Sequence, residues 1–208
     1  MNSRLLVAAS LVLGVALMGA APTGAAASFL DAWSKVQSYT ADIKVHETKG
    51  TESQDRTYRY GYLKPHFARI DITGGPGKGG GAVWKGGDSV SGHQGGLLSG
   101  IHLTISIHDA RAVDLRGATI DEGSFQNMAS WIESAPAVTS GEDTWNGASY
   151  DTVSGPYSDA LGATKRTLYL SKTTHLPVRR VTFAGDTIVE DEAFTSVNAQ
   201  AALMESDF

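Results

Sequence analysis

A period of two runs through most of this chain and limits its fold more than any other feature. Tyr39, Ala41, Ile43 and Val45 alternate with Thr40, Asp42, Lys44 and His46, and Tyr58, Tyr60 and Tyr62 recur at every second residue. Residues two apart share one face of a strand, so these segments predict strands over 38–47 and 56–63, joined by a polar loop at 49–55. A third strand, 67–72, puts Ala68, Ile70 and Ile72 on one face and Phe67, Arg69 and Asp71 on the other. Lys64-Pro65 interrupts the run, because proline cannot donate to a sheet ladder. Trp84 to Val90 reads as a hairpin closed by Gly86-Gly87. Ile101, Leu103, Ile105 and Ile107 alternate with polar residues, as an amphipathic strand or a lid segment would. Four more candidate strands, 150–153, 164–170, 176–183 and 188–194, are separated by short polar turns. Short turns favour antiparallel hairpins over parallel crossovers.

A wide sheet with an aromatic face needs a cover, and two stretches have helical periodicity. Phe29, Ala32, Trp33 and Val36 fall at i, i+3, i+4 and i+7 behind Ser28, a candidate N-cap. Phe125, Met128, Ala129 and Ile132 repeat that spacing behind Ser124; Trp131 widens the stripe and Pro136 ends it. The second helix packs as ordinary core or serves as a lid over the concave face. Residues 111–123 are expected to be irregular.

The first 27 residues differ in kind. Arg4 precedes an apolar run from Leu5 to Ala20, Pro22 and Gly24 break it, and Ala25-Ala26-Ala27 offers small residues for cleavage. That is the pattern of a secretory leader, and the run is short for a spanning helix, which takes about 20 residues. The expected domains are therefore a cleavable leader, 1–27, and one folded domain, 28–208. The chain has no cysteine, which excludes disulfides, thiolate metal sites and lipid acylation of the leader. Without Arg4 the 17 basic residues become 16 against 22 acidic ones, about −6, a poor balance for nucleic acid or anionic lipid surfaces.

Catalytic motifs are absent from the sequence: it has no nucleophile elbow, no His-Glu-x-x-His and no dinucleotide fingerprint. Gly74 to Gly81 contains Gly-Lys, but glycines and a strand follow Lys78 where a phosphate loop needs Ser or Thr and a helix. It is expected to be a flexible hairpin loop. His102 and His108 lie six residues apart and read as solvated; a metal site there would need His93 or Asp109 as well. Asp121-Glu122 and Glu190-Asp191-Glu192 read as a solvated edge, with Arg179 and Arg180 placed to pair across the hairpin. No cofactor and no metal is implied.

Several of these parts together resemble a known family. They are Tyr-Leu-Lys-Pro-His-Phe-Ala-Arg at 62–69, Val-Trp-Lys-Gly-Gly-Asp-Ser-Val at 83–90, Gly-Glu-Asp-Thr-Trp-Asn-Gly-Ala-Ser-Tyr at 141–150 and the terminal hairpin with Leu-Pro-Val-Arg at 176–179. Their order resembles the LolA-like outer-membrane lipoprotein-sorting superfamily over nearly all of 28–208. The His-Gln-Gly-Gly region at 93–96 looks closest to its DUF1571-type branch. The resemblance implies an α+β half-barrel, a curved antiparallel sheet wrapped around a few helices. It further implies a monomeric periplasmic carrier, not an enzyme, that holds lipid or lipoprotein acyl chains in an apolar cavity and exchanges them with a membrane-bound donor or acceptor protein. The alternative is a periplasmic regulatory or stress-sensing module with a protein partner. In LolA an arginine before the matching proline latches the lid; that position is Lys64 here, a point charge without a planar fork, and the stretch 95–121 departs from LolA as an insertion. The wall is expected to comprise Tyr60, Tyr62, Lys64, Phe67, Ile70 and Trp84, with Met128 and Trp131 on the lid.

Overall fold

A computed structural model describes residues 22–96 and 99–208. Most of the leader expected from the sequence lies outside the described residues. Eleven strands form one antiparallel sheet in the order β6-β5-β4-β3-β2-β1-β11-β10-β9-β8-β7. The first meander comprises β1 (Ser38–Lys49), β2 (Glu52–Leu63), β3 (Phe67–Gly74), β4 (Gly81–Trp84), β5 (Ser89–His93) and β6 (His102–Ser106). The second comprises β7 (Thr139–Trp145), β8 (Ala148–Pro156), β9 (Lys165–Leu170), β10 (Pro177–Ala184) and β11 (Thr187–Asn198). They meet where β1 pairs with β11, Ile43 opposite Phe194 and Glu47 opposite Glu190. The outer strands β6 and β7 do not pair with each other, so the barrel stays open. This is the half-barrel that the alternation and the resemblance predict.

Two helices sit against the concave face. Helix α1 spans Ala25–Ser34 and α2 spans Phe125–Ser134. The cap of α2 is the expected one: the Ser124 hydroxyl accepts the Asn127 N–H at 3.0 Å. Helix α1 starts four residues earlier than expected, behind Gly24, not Ser28. Ala25-Ala26-Ala27 are strong helix formers, Ala26 is buried, and its N–H donates to the Ser140 hydroxyl. The helix therefore extends through the alanines at which the leader was expected to end.

The core is aromatic. Tyr39 stacks on Phe125 with ring centroids 4.2 Å apart, and Tyr60, Tyr62 and Trp33 gather around them at 5.9–6.1 Å. Leu168, Leu170, Val153, Met128 and Ile132 complete it, all buried. On the convex side the chain ends against β3: Phe208 lies 5.7 Å from Phe67, ring to ring, and the Ser38 hydroxyl donates to the Ala201 carbonyl.

Candidate functional site: a cavity under the 107–124 segment

Alternation places every second residue of each strand on the concave face, and neighbouring strands extend those positions into rows. One row runs Tyr62, Ala68, Trp84 and Val90; the next runs Tyr60, Ile70, Ala82 and Gly92. Trp33 of α1 packs against Tyr62 of the first row, with ring centroids 6.0 Å apart. Tyr60, Ile70 and Ala82 of the second row, with Ile43, Tyr58 and Ile72, border a cavity of about 680 Å³ whose roof is the irregular segment 110–120. Its rim is glycine-rich, since 76–81 and 93–96 come together there. A Cβ on Gly95 would stand 2.0 Å from the Lys78 carbonyl oxygen, so only glycine permits that approach. The Gly-Lys stretch is thus the expected hairpin loop and a wall of the cavity.

A second hollow of about 300 Å³ continues under the edge strand β6, lined by Val90, Ile101, Leu103 and Ile105. The two share Gly81, Ala82, His93, Gln94, Arg111 and Ala112. Ile101 and Leu103 remain 54% and 46% exposed, so this side is apolar and open. The 101–108 stretch is therefore an edge strand with one apolar face, extended by the buried Ile107.

Of the eight expected wall and lid residues, Tyr60 and Ile70 line the main cavity. The Tyr60 hydroxyl, buried and pushed up in pKa chiefly by that burial, donates to the Ile120 carbonyl at 3.0 Å and holds the roof. Tyr62 belongs to the filled core, and its hydroxyl donates to the Pro65 carbonyl. Phe67 points to the convex side against Phe208, because it is out of phase with Ile70 on the same strand. Trp84 shares the row of Ala68 and Val90, and its indole N–H donates to the Gly87 carbonyl at 2.9 Å. Met128 is fully buried between α2 and the sheet, and Trp131 donates to the Pro156 carbonyl at 2.8 Å. Lys64 does latch a helix: its ammonium donates to the Trp33 carbonyl at 2.7 Å and lies 4.0 Å above the Trp33 ring. A cation suits the carbonyl end of α1, and partial burial lowers its pKa.

The far end of the concave face is charged, which the sequence reading missed. Glu190 and Glu192 are buried at 4% and 7% exposure and flank Arg180, so they are no solvated edge. The predicted pairing across the hairpin does occur. Arg179 binds Asp191 through two 2.7 Å hydrogen bonds on one face, while Arg180 reaches Glu190 and Glu192 on the other. Burial works against the Arg180 charge, and the two glutamates more than restore it. Burial likewise pushes Glu190 up, but Arg180, Arg166 and the Thr182 hydroxyl hold it below its usual value. Glu192 is raised, first by burial and then by Glu190 and Asp114.

This charged end also anchors the roof. Arg180 donates to the Glu122 carbonyl at 2.7 Å. Arg116 donates to the Thr48 carbonyl at 2.7 Å and pairs with Asp159. Asp114 stands in the cavity wall with Arg56, Arg180 and Glu192. Phase could have revealed Glu47: it continues the inward series Tyr39, Ala41, Ile43, Val45. Nothing local marks Asp114 or Arg116, which a loop brings in from far along the chain.

No family model and no curated protein matches the chain. Solved structures do. A DUF1329 family protein from Desulfovibrio piger matches at TM-score 0.49 and 10% identity, over 88% of this chain and 95% of that one. A putative outer membrane lipoprotein-sorting protein domain from Vibrio parahaemolyticus matches at TM-score 0.46 and 13% identity, over 88% and 94%. A LolA superfamily protein from Nitrosomonas europaea matches at TM-score 0.48 and 9% identity, over 88% and 96%. At 9–13% identity these are likenesses of overall architecture alone.

Proposed function

We propose that this chain is an exported, non-catalytic carrier or binding protein for a lipid or acylated ligand, working as a monomer in the periplasm after a leader, residues 1–27, has been removed. The cavity is the observation that carries this reading. Its volume, about 680 Å³, falls in the range of small-molecule sites, roughly 300–1,000 Å³. Ile43, Ile70, Ile72 and Ala82 give it an apolar floor that runs on under β6. An acyl chain laid there gains about 0.8 kcal/mol per methylene buried, and Arg111, His93 and Gln94, at the junction of the two hollows, would meet a polar head. The DUF1571-type reading of 93–96 belongs to this proposal, because those residues form the rim. Release requires the roof to lift, and donor and acceptor would be membrane-bound proteins.

Native mass spectrometry of the purified protein before and after organic extraction tests it, with titration of a fluorescent fatty acid. A co-purifying lipid that extraction removes, and fatty-acid binding weakened at least tenfold by Ile70→Glu, support a carrier. A tenfold loss is about 1.4 kcal/mol, less than two buried methylenes. A ligand-free mass with no fatty-acid binding would overturn it.

A second reading, a regulatory module that binds a protein partner, rests on β6. That strand is an unpaired edge beside the exposed Ile101 and Leu103, a surface on which a partner strand can add. Leu103→Lys would abolish such an interaction and weaken fatty-acid binding less than Ile70→Glu does.

A further inference from the structure

Glu47 is fully buried, at 0% exposure, yet as a carboxylate neither of its oxygens has a hydrogen-bond donor among the described residues. A buried carboxylate without a donor or counter-charge costs several kcal/mol. Strand phase aims it at the inner face, opposite Glu190 on β11 and Gln54 on β2. The covering segment brings Asp114 to the same point, and Glu47, Asp114 and Glu190 each offer an oxygen within 4.8 Å of the others. Three acidic groups converge where one of them has nothing to bind.

Gln54 Nε2, Arg56 Nε and Arg166 Nε and Nη1 are buried donors that also lack partners among the described residues, and none hydrogen-bonds a Glu47 oxygen. Arg180 is taken by Glu190, Glu192 and the Glu122 carbonyl. Arg166 lies 3.5 Å over the Tyr157 ring. Arg56 spends its terminal nitrogens on Tyr58 and Gln54. Asp114 uses Oδ1 to accept the Arg116 and Ala118 N–H groups, and among the described residues Oδ2 has no donor. Glu190 accepts from Arg180 and Thr182, and each of its oxygens keeps a second lone pair. Without an ion the remaining remedy is a proton shared between Glu47 and Asp114. Burial, then Asp114 and Glu190, push the Glu47 carboxyl up to about 8.

We propose that Glu47, Asp114 and Glu190 form a site for one hard divalent cation, Ca²⁺ in preference to Mg²⁺, which ties the covering segment to the sheet. An all-oxygen, carboxylate-rich set suits such ions. Ca²⁺ holds oxygens at about 2.3–2.6 Å in flexible geometry, so ligands on opposite sides of it stand up to about 5 Å apart. Mg²⁺–O distances of about 2.0–2.1 Å would need a tighter set. Asp114 borders the open cavity, from which water can complete the shell. The cation displaces the shared proton, so its uptake releases protons and weakens as pH falls. Two ligands come from the sheet and one from the roof, so the ion clamps the roof over the cavity.

Calorimetric titration of chelator-treated full-length protein with CaCl₂ and, separately, MgCl₂ at pH 8 tests this without any lipid, so its outcome is independent of the carrier reading. One Ca²⁺ per chain is expected, in the range of extracellular modules, roughly 0.1–1 mM, with a heat that depends on the buffer's ionisation. Glu47→Gln keeps the shape and should weaken uptake at least tenfold; Asp114→Asn, on the roof, should do the same; Glu52→Gln, at the exposed end of β2, should change nothing. Hydrogen exchange of the 110–120 amides should slow with Ca²⁺ in the wild type and not in Glu47→Gln. Absence of saturable uptake roughly tenfold above that range overturns the site, as does uptake that survives both substitutions in folded protein. Binding of Zn²⁺ alone also overturns it.

Discussion

The two ends of the concave face are built from the same strands and solve opposite problems. At one end Tyr39, Tyr62, Phe125 and Trp33 fill the space, and both helices seal it. At the other, Glu47, Glu190, Glu192, Arg180 and Arg166 occupy the same inward phase, a loop covers them, and a cavity remains between. The filled end is held by non-directional burial, which tolerates any well-packed apolar shape. The charged end is held by pairs that must all be satisfied at once. The helices are thus core for one end and do not roof the cavity at the other; the roof is the irregular segment, fastened by polar contacts.

This contrast can be broken by mutation. Phe125→Ala removes the ring stacked on Tyr39 and should cost about 3–5 kcal/mol, nearly independent of pH, in urea unfolding. Arg180→Met leaves Glu190 and Glu192 buried without their cation, and should cost about 3–4 kcal/mol at pH 8. That cost should shrink toward pH 5, because the stranded carboxyls then protonate. If both variants gave the same pH profile, the two ends would not differ in the way described.

A smaller effect concerns pH in the unmodified protein. Glu47 is raised from 4.5 to about 8, and Asp114 and Glu192 are raised in the same direction. Between the unfolded and folded values the folded state binds more protons, so stability falls as pH rises from about 4.5 to 8. Glu190 is lowered, so it titrates below this range and leaves the slope unchanged. Glu47→Gln should flatten the slope and raise stability at pH 8 by on the order of 1–3 kcal/mol, less than a lone carboxyl would give because the proton is shared. Thermal melts across that range in chelator would show it. Smallest of all, Tyr60→Phe should cost about 0.5–1.5 kcal/mol and speed amide exchange around Ile120 before anywhere else.

Alternation made the sheet legible, because period two is the direct trace of a strand with one buried face, and Ser124 marked its helix through a cap that needs only three neighbouring residues. Phase even separates Phe67 from Ile70, although both were expected in one wall. The site was legible only in part. Glu190 and Glu192 were recognised as sharing a face, but which face is set by Phe194 two residues on, and acidic residues on strands are usually outside. The cavity itself depends on where 107–124 folds back. That is decided by Arg116 reaching Thr48 and Asp159 and by Arg180 reaching the Glu122 carbonyl, long-range contacts with no local pattern. Helix α1 ran past its expected start because alanine propensity and the Ser140 contact outweighed a serine that only looked like a cap.

The pairing of β1 with β11 has a kinetic consequence. Thr40 waits for Asn198, and Glu47 for Glu190, so the seam at the middle of the sheet closes a loop of most of the domain. Each meander is local and can form hairpins in microseconds, but the face they share cannot exist until the last strand has left the ribosome. High contact order of this kind slows folding. A chain built this way can form each meander early but cannot close its central seam until β11 has been made.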